Sequence, residues 1–190
     1  LTVPQEIEFP TQDGQKAYGF YYPPRNRDFK PLPAEKPPLI VVSHGGPTGM
    51  ASTSLNLSLQ FWTSRGFAAV DVNYGGSSGF GREYRERLRG KWGLVDVEDC
   101  LHAARYLVNQ GKADPQRLII RGSSAGGFTT LCAITFHQVF HAAASYYGIG
   151  DLESLALDTH KFESHYLDQL IAPYPQGKAL YRERSPLYHA

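Results

Sequence analysis

The chain has 190 residues, enough for one domain with a substantial core and too few for two ordinary ones. Nineteen basic side chains against eighteen acidic ones leave a formal charge of +1, which advertises neither a nucleic-acid partner nor an anionic membrane surface. Charged residues make up 19% and apolar ones 42%, excluding intrinsic disorder, and the 19 glycines and 13 prolines follow no period of the collagen or repeat-array kind.

Apolar runs such as Leu39-Ile40-Val41-Val42 fall far short of the roughly 20 residues that a membrane span needs. No charged-then-apolar leader opens the given sequence, but it starts at Leu1 rather than Met, so the original N-terminus is expected to be missing and a cytoplasmic location is only the default expectation. Cys100 and Cys132 lie in helix-like segments without metal-ligand spacing and are expected to be small buried side chains.

In chain order, residues 6–11 and 15–22 flank Asp13-Gly14, a hairpin turn signal between two antiparallel strands. Residues 23–38 are rich in proline and read as a surface loop. Residues 39–43 form a short continuous apolar run, as a strand buried on both faces does. Leu55, Leu59 and Trp62 recur at helical spacing before Gly66, and residues 67–73 read as a second buried strand. Asp96 is the expected cap of the next helix, whose apolar stripe is Val97, Leu101, Ala104 and Val108. Leu118-Ile119-Ile120 marks a third buried strand. Phe128, Leu131, Cys132 and Phe136 mark a helix, and residues 141–147 a fourth strand. Such alternation predicts an α/β fold, a mostly parallel sheet with helices on both faces and the N-terminal hairpin as an antiparallel edge. Residues 150–190 break the rhythm and show helical pieces but no strand.

Gly122-Ser123-Ser124-Ala125-Gly126 is a G-x-S-x-G placed between a predicted strand and a predicted helix. A nucleophile on so sharp a turn needs neighbours without side chains, which Gly122 and Gly126 supply. Ser124 is therefore the candidate nucleophile, and the Ala125 N–H at the start of the helix is a candidate oxyanion donor. The second donor is expected from His44-Gly45-Gly46-Pro47, where Gly45 and Gly46 let backbone approach a substrate unobstructed. Neither a dinucleotide fingerprint nor a P-loop is present, so no cofactor is expected. His137 and His141 could share a helix face, but no third ligand is near enough in sequence to predict zinc.

The elbow, the 44–47 loop, the stretch Asn73-Tyr74-Gly75-Gly76-Ser77-Ser78-Gly79-Phe80-Gly81, Trp92-Gly93 and Asp96-Val97-Glu98-Asp99 together resemble the catalytic domain of prolyl oligopeptidase-type serine peptidases. The resemblance is to the acylaminoacyl-peptidase and dipeptidyl-aminopeptidase branch, and Gly75 departs from it where Arg is common. It implies an incomplete α/β-hydrolase fold over residues 1–190 and hydrolysis of short peptides or acyl-peptides through an acyl-enzyme. A β-propeller usually precedes such a domain. Mapped onto this chain, Ser124 is the nucleophile, with Ala125 and Gly46 as the oxyanion donors.

The family order is Ser, then an acid, then His, each after a later strand. Only 66 residues follow Ser124, and those after Gly150 show no further strand, so two further βα units of roughly 30 residues each do not fit in what remains. Asp151, Asp158, Asp168, His160, His165 and His189 are thus expected to be surface or loop residues. On this reading the chain is an inactive fragment of a larger peptidase, with a bare sheet edge that favours self-association. An esterase using the same acyl chemistry, or a non-catalytic association module on the same scaffold, are the alternatives.

Overall fold

The computed structural model describes residues 1–32, 34–158 and 165–190. β1 (Gln5–Pro10) and β2 (Lys16–Tyr22) pair antiparallel, with Pro10 opposite Lys16. The turn works because Asp13 and Gly14 both take positive φ, 57° and 71°, matching the twist of the two strands.

β3 (Leu39–Ser43) and β4 (Ala68–Asn73) are the expected buried strands, and every residue of β4 is buried. The helix between them, α1 (Leu57–Thr63), begins later than its apolar spacing predicts. Asn56 caps it, its side-chain oxygen accepting from the Ser58 and Leu59 N–H groups at 3.0 and 3.2 Å. Leu55 therefore stands outside the helix and is exposed, leaving Leu59 and Trp62 to pack inward.

A short α2 (Gly81–Glu86) precedes α3 (Val95–Asn109), and Asp96 is not the cap of α3. It lies inside the first turn, fully buried, with one carboxylate oxygen accepting from the Gly93 N–H at 2.7 Å and the other from the Thr129 hydroxyl at 2.5 Å. Two nearby donors outcompete the helix terminus for it. The expected stripe holds: Val97, Leu101 and Ala104 are buried, with Val108 packed partly against them.

β5 (Leu118–Ser123), α4 (Ala125–Phe136) and β6 (Ala142–Tyr146) follow as expected. Because α4 stops at Phe136 and His137 is extended, His137 and His141 share no helix face. The rest of the described chain holds α5 (Leu152–Asp158), α6 (Tyr166–Leu170) and α7 (Lys178–Arg184), with no strand among the described residues after β6. Glu153 clasps α5 to α7 through Lys178 at 2.6 Å and Arg182 at 2.9 Å, which holds its carboxyl down at about 2.

The sheet order is β1-β2-β4-β3-β5-β6, antiparallel at β1/β2 and β2/β4 and parallel elsewhere. Leu59 of α1 packs on Ile40 and Ala69 on one face. Leu101 of α3 and Phe128 of α4 belong to the larger core on the other, with Val41, Val70 and Ile120. From β3 the chain crosses to β4 on one side and then returns to β5 on the other. The order thus reverses at β3/β5, and such a switch opens a crevice beyond the C-terminal ends of the two strands. Residues 44–47 and 123–125 flank that crevice. β6 is the edge strand among the described residues; Ala142 and Ala143 on it are exposed, as is the adjoining Tyr147.

Candidate active site

Ser124 is the single residue between β5 and α4, at φ 55° and ψ −121°, a region that a residue with a side chain enters only under constraint. Two backbone bonds impose it: the Ser124 N–H donates to the Tyr146 carbonyl and the Phe128 N–H to the Ser124 carbonyl, both at 3.0 Å. The Ser124 side chain is solvent-accessible. Sharpness of the bend depends on its flanking glycines. A Cβ on Gly122 would lie 2.2 Å from the Gly126 carbonyl oxygen, and one on Gly126 2.1 Å from that of Ser43. A side chain at Gly122 would push the first turn of α4 off the end of β5, and one at Gly126 would push it away from β3.

The 44–47 loop is organised by the ring of His44. Its Nδ1 is 2.9 Å from the Gly45 carbonyl oxygen and its Nε2 is 2.7 Å from Ser77 Oγ. Burial lowers the pKa of this imidazole, favouring the neutral ring. The network assigns the proton to Nδ1, which donates to Gly45, while Nε2 accepts from the Ser77 hydroxyl. Tyr74 stacks on the ring at 4.2 Å and donates its own proton to the Pro47 carbonyl at 2.6 Å. A peptide unit is planar, so holding the Gly45 carbonyl also restrains the direction of the Gly46 N–H. Gly46 has φ 117°, and a Cβ there would meet the Gly49 nitrogen at 2.6 Å.

Gly46, Pro47, Ser124 and Ala125 line one side of a cavity of about 190 Å³. Its other side is apolar and comes from Trp92, Ile149, Leu155 of α5, and Tyr166 and Leu167 of α6. The volume suits one side chain rather than a whole drug-sized ligand. Two larger cavities, of about 590 and 670 Å³, do not include Ser124. Gly45 faces the first of these; its Cβ position is 3.3 Å from the Ser123 carbonyl oxygen and 3.8 Å from Ser124 Cβ. The fold thus brings Ser124, Ala125 and Gly46 around one space, with Gly45 behind them.

The other residues singled out in sequence lie elsewhere. Asp151 caps the start of α5, accepting from the Glu153 N–H at 2.9 Å and the Ser154 hydroxyl at 2.6 Å. Asp158 is exposed at the end of α5. His165 and Asp168 pair with one another at 3.0 Å, the imidazole exposed, and His189 packs edge-on against Phe136. His160 lies outside the described residues. No described histidine hydrogen-bonds to Ser124, and no cluster of three or more metal-ligating side chains occurs among the described residues. Cys100 and Cys132 are free and buried. At Gly75, a Cβ would lie 2.8 Å from Val95 and 3.2 Å from Arg87, so this chain fills with those two side chains the space a residue there would take.

Three contributions escaped sequence reasoning: the ring of His44, the Asp96–Thr129 tie beneath the elbow, and Tyr166. His44 was legible as part of a loop motif and Asp96 as a helix cap rather than a brace; nothing local marked Thr129 or Tyr166.

The chain matches the profile of the prolyl oligopeptidase family over residues 53–190. It is 34% identical to an acylamino-acid-releasing enzyme of Arabidopsis thaliana over 80% of this chain and 21% of that protein. With dipeptidyl aminopeptidase BIII of Pseudoxanthomonas mexicana it shares 30% identity over 99% of this chain and 29% of the relative. Among solved structures, a Mycobacterium tuberculosis puromycin-hydrolyzing peptidase superposes with a TM-score of 0.98 at 53% identity, covering all of this chain and 29% of that one. The chain therefore spans less than a third of the length of these relatives. Its mostly parallel sheet, elbow and flanking helices are those of an α/β-hydrolase, and the chain belongs to the prolyl oligopeptidase family.

Proposed function

We propose that the protein is a serine peptidase that hydrolyses short peptides or acyl-peptides through an acyl-enzyme on Ser124. The observation carrying this reading is an accessible Ser124 hydroxyl, held in a left-handed bend at the start of α4, sharing one small cavity with Gly46 and Ala125. Ser124 Oγ attacks the substrate carbonyl and its proton passes by way of a base to the departing amine, so that C–O forms as C–N breaks. The carbonyl oxygen becomes negative and is received by the N–H of Ala125, which the helix ladder leaves unused, and by that of Gly46. Water then attacks the ester and restores Ser124.

The imidazole base and its acid are proposed to come from residues outside 1–190. The chain is then the nucleophile-bearing part of a larger hydrolase domain, inactive by itself. The apolar wall of Trp92, Ile149, Leu155, Tyr166 and Leu167 favours an apolar or aromatic side chain on the acyl residue. Puromycin is proposed as a further substrate, supported by the relative at 53% identity.

The test uses the full-length protein. A fluorophosphonate should label Ser124, and Ser124→Ala should abolish both labelling and turnover of an aminoacyl or peptidyl anilide. Turnover that survives Ser124→Ala would end the hydrolase reading. Comparing kcat/KM for matched anilide and ester substrates separates a peptidase from an esterase, and absent labelling would favour the association module.

A further inference from the structure

Tyr166 reaches across 120 positions of sequence to the loop beside Ser124. Its hydroxyl lies 3.0 Å from the Gly46 carbonyl oxygen, to which it donates, and 3.0 Å from the Thr48 hydroxyl. A phenol has one proton, so Thr48 is the donor in the second bond. The ring of the same residue lines the 190 Å³ cavity beside Ser124. One side chain therefore belongs to both the substrate pocket and the loop.

The position of the hydroxyl matters because of what surrounds Gly46. The Gly45 carbonyl is pinned by His44 from within the fold, at 2.9 Å. The Gly46 carbonyl, one peptide on, is pinned by Tyr166 from α6. Gly46 has no side chain to pack, and Pro47 has no N–H to tie the following peptide down. Holding the Gly46 carbonyl as well restricts the two soft dihedrals of Gly46, so the peptide that carries its N–H is anchored from both ends. Without the Tyr166 bond that peptide is held from the Gly45 side alone, and its N–H can tilt.

We propose that Tyr166 is a positioning residue for the Gly46 N–H, and that it couples pocket occupancy to the oxyanion donor. A substrate side chain seated against the ring immobilises the ring, and the hydroxyl then holds the loop in its receptive form. Binding energy from the side chain is thereby expressed in kcat rather than in KM. This rests on the reading of Ser124 as nucleophile. Substrates with a large apolar acyl residue should gain in kcat over their glycyl counterparts, and the gain should depend on the Tyr166 hydroxyl.

The experiment is kinetic and uses the full-length protein. Tyr166→Phe keeps the ring and removes the hydroxyl. Outright loss of an oxyanion donor costs about 10²–10³ in rate, and loosening one should cost less, about tenfold in kcat, with KM within about twofold. Affinity for a peptide boronate, whose adduct with Ser124 mimics the tetrahedral state, should fall by the same factor, while affinity for the product peptide should not change. Thr48→Val should move kcat the same way by a smaller factor, and it decides the matter if Tyr166→Phe fails to fold. Unchanged kcat, or equal losses for boronate and product, would overturn the positioning role. A Ser124→Ala control tells the two ideas apart. If that variant is inactive while Tyr166→Phe runs at the wild-type kcat, only the positioning role falls; if it still turns over, the nucleophile reading falls with it.

Discussion

The Thr129 hydroxyl donates to the buried Asp96 carboxylate at 2.5 Å, and this bond ties the helix that begins beside Ser124 to the loop carrying Trp92. The second Asp96 oxygen takes the Gly93 N–H at 2.7 Å, and Trp92 itself lies against Phe128 of the same helix at 4.7 Å. The elbow is thus braced from beneath by a polar bond and an aromatic contact, 33 residues apart in sequence for the former. Burial holds the Asp96 carboxyl up at about 6 in spite of hydrogen bonds from Thr129 and from backbone N–H groups that favour its charged form.

Thr129→Val should remove that brace at nearly constant volume. A buried carboxylate losing one donor costs about 1–3 kcal/mol. The urea midpoint should fall accordingly with an unchanged m-value, and Asp96 should titrate above its present value because a bond favouring its ionised form is gone. A midpoint equal to that of the wild type would show that Asp96 does not depend on Thr129.

Asp71 offers a pH test. It is buried with no ion-pair or hydrogen-bond partner among the described residues, and burial raises its carboxyl from 3.8 to about 7. Between those values the folded protein holds a proton that the unfolded chain releases, so stability falls as pH rises through this window and levels off above about 7. Asp71→Asn removes the cost of burying the charge. Its melting temperature should exceed the wild type's at pH 8, and the gap should shrink steadily to near zero below pH 4. A gap independent of pH would contradict this.

Gly46→Ala should damage catalysis more than folding. At φ 117°, with the Gly49 nitrogen 2.6 Å from the new Cβ, the loop must move, and the Gly46 N–H moves with it. The expected loss is about 10²–10³ in kcat. Circular dichroism and the melting temperature report whether the fold survives; wild-type turnover in a folded variant would remove Gly46 from the site.

The exposed edge at β6 predicts association when residues 1–190 are produced alone. Unpaired N–H and C=O groups along that strand offer a template to another chain. Sedimentation should show species above the monomer, and Ala143→Lys, a charge at an exposed position of that edge, should shift them toward monomer. A monodisperse monomer in both cases would count against the idea.

Much of the fold was legible because it rests on local rules. The turn at Asp13-Gly14 needs two residues tolerant of positive φ, β3 and β4 need mainly apolar runs to be buried on both faces, and the bend at Ser124 needs glycines two positions to either side. Each of those demands is met within a handful of neighbours, so residue types alone display it. Competition between local signals was harder to read. Asn56 took the cap and left Leu55 outside α1, and Asp96 gave its oxygens to Gly93 and Thr129 instead of to the start of α3.

By itself, then, the sequence determined the alternation of strands and helices, the bend that presents Ser124, and the glycine loop beside it, since steric limits on φ and the burial of apolar runs act over short stretches of chain. Only the tertiary structure decided that His44 holds Gly45, that Asp96 braces α4, and that Tyr166 reaches Gly46. Hydrogen bonds between distant residues leave no period or spacing in the chain, and they exist only once the sheet has brought their partners together.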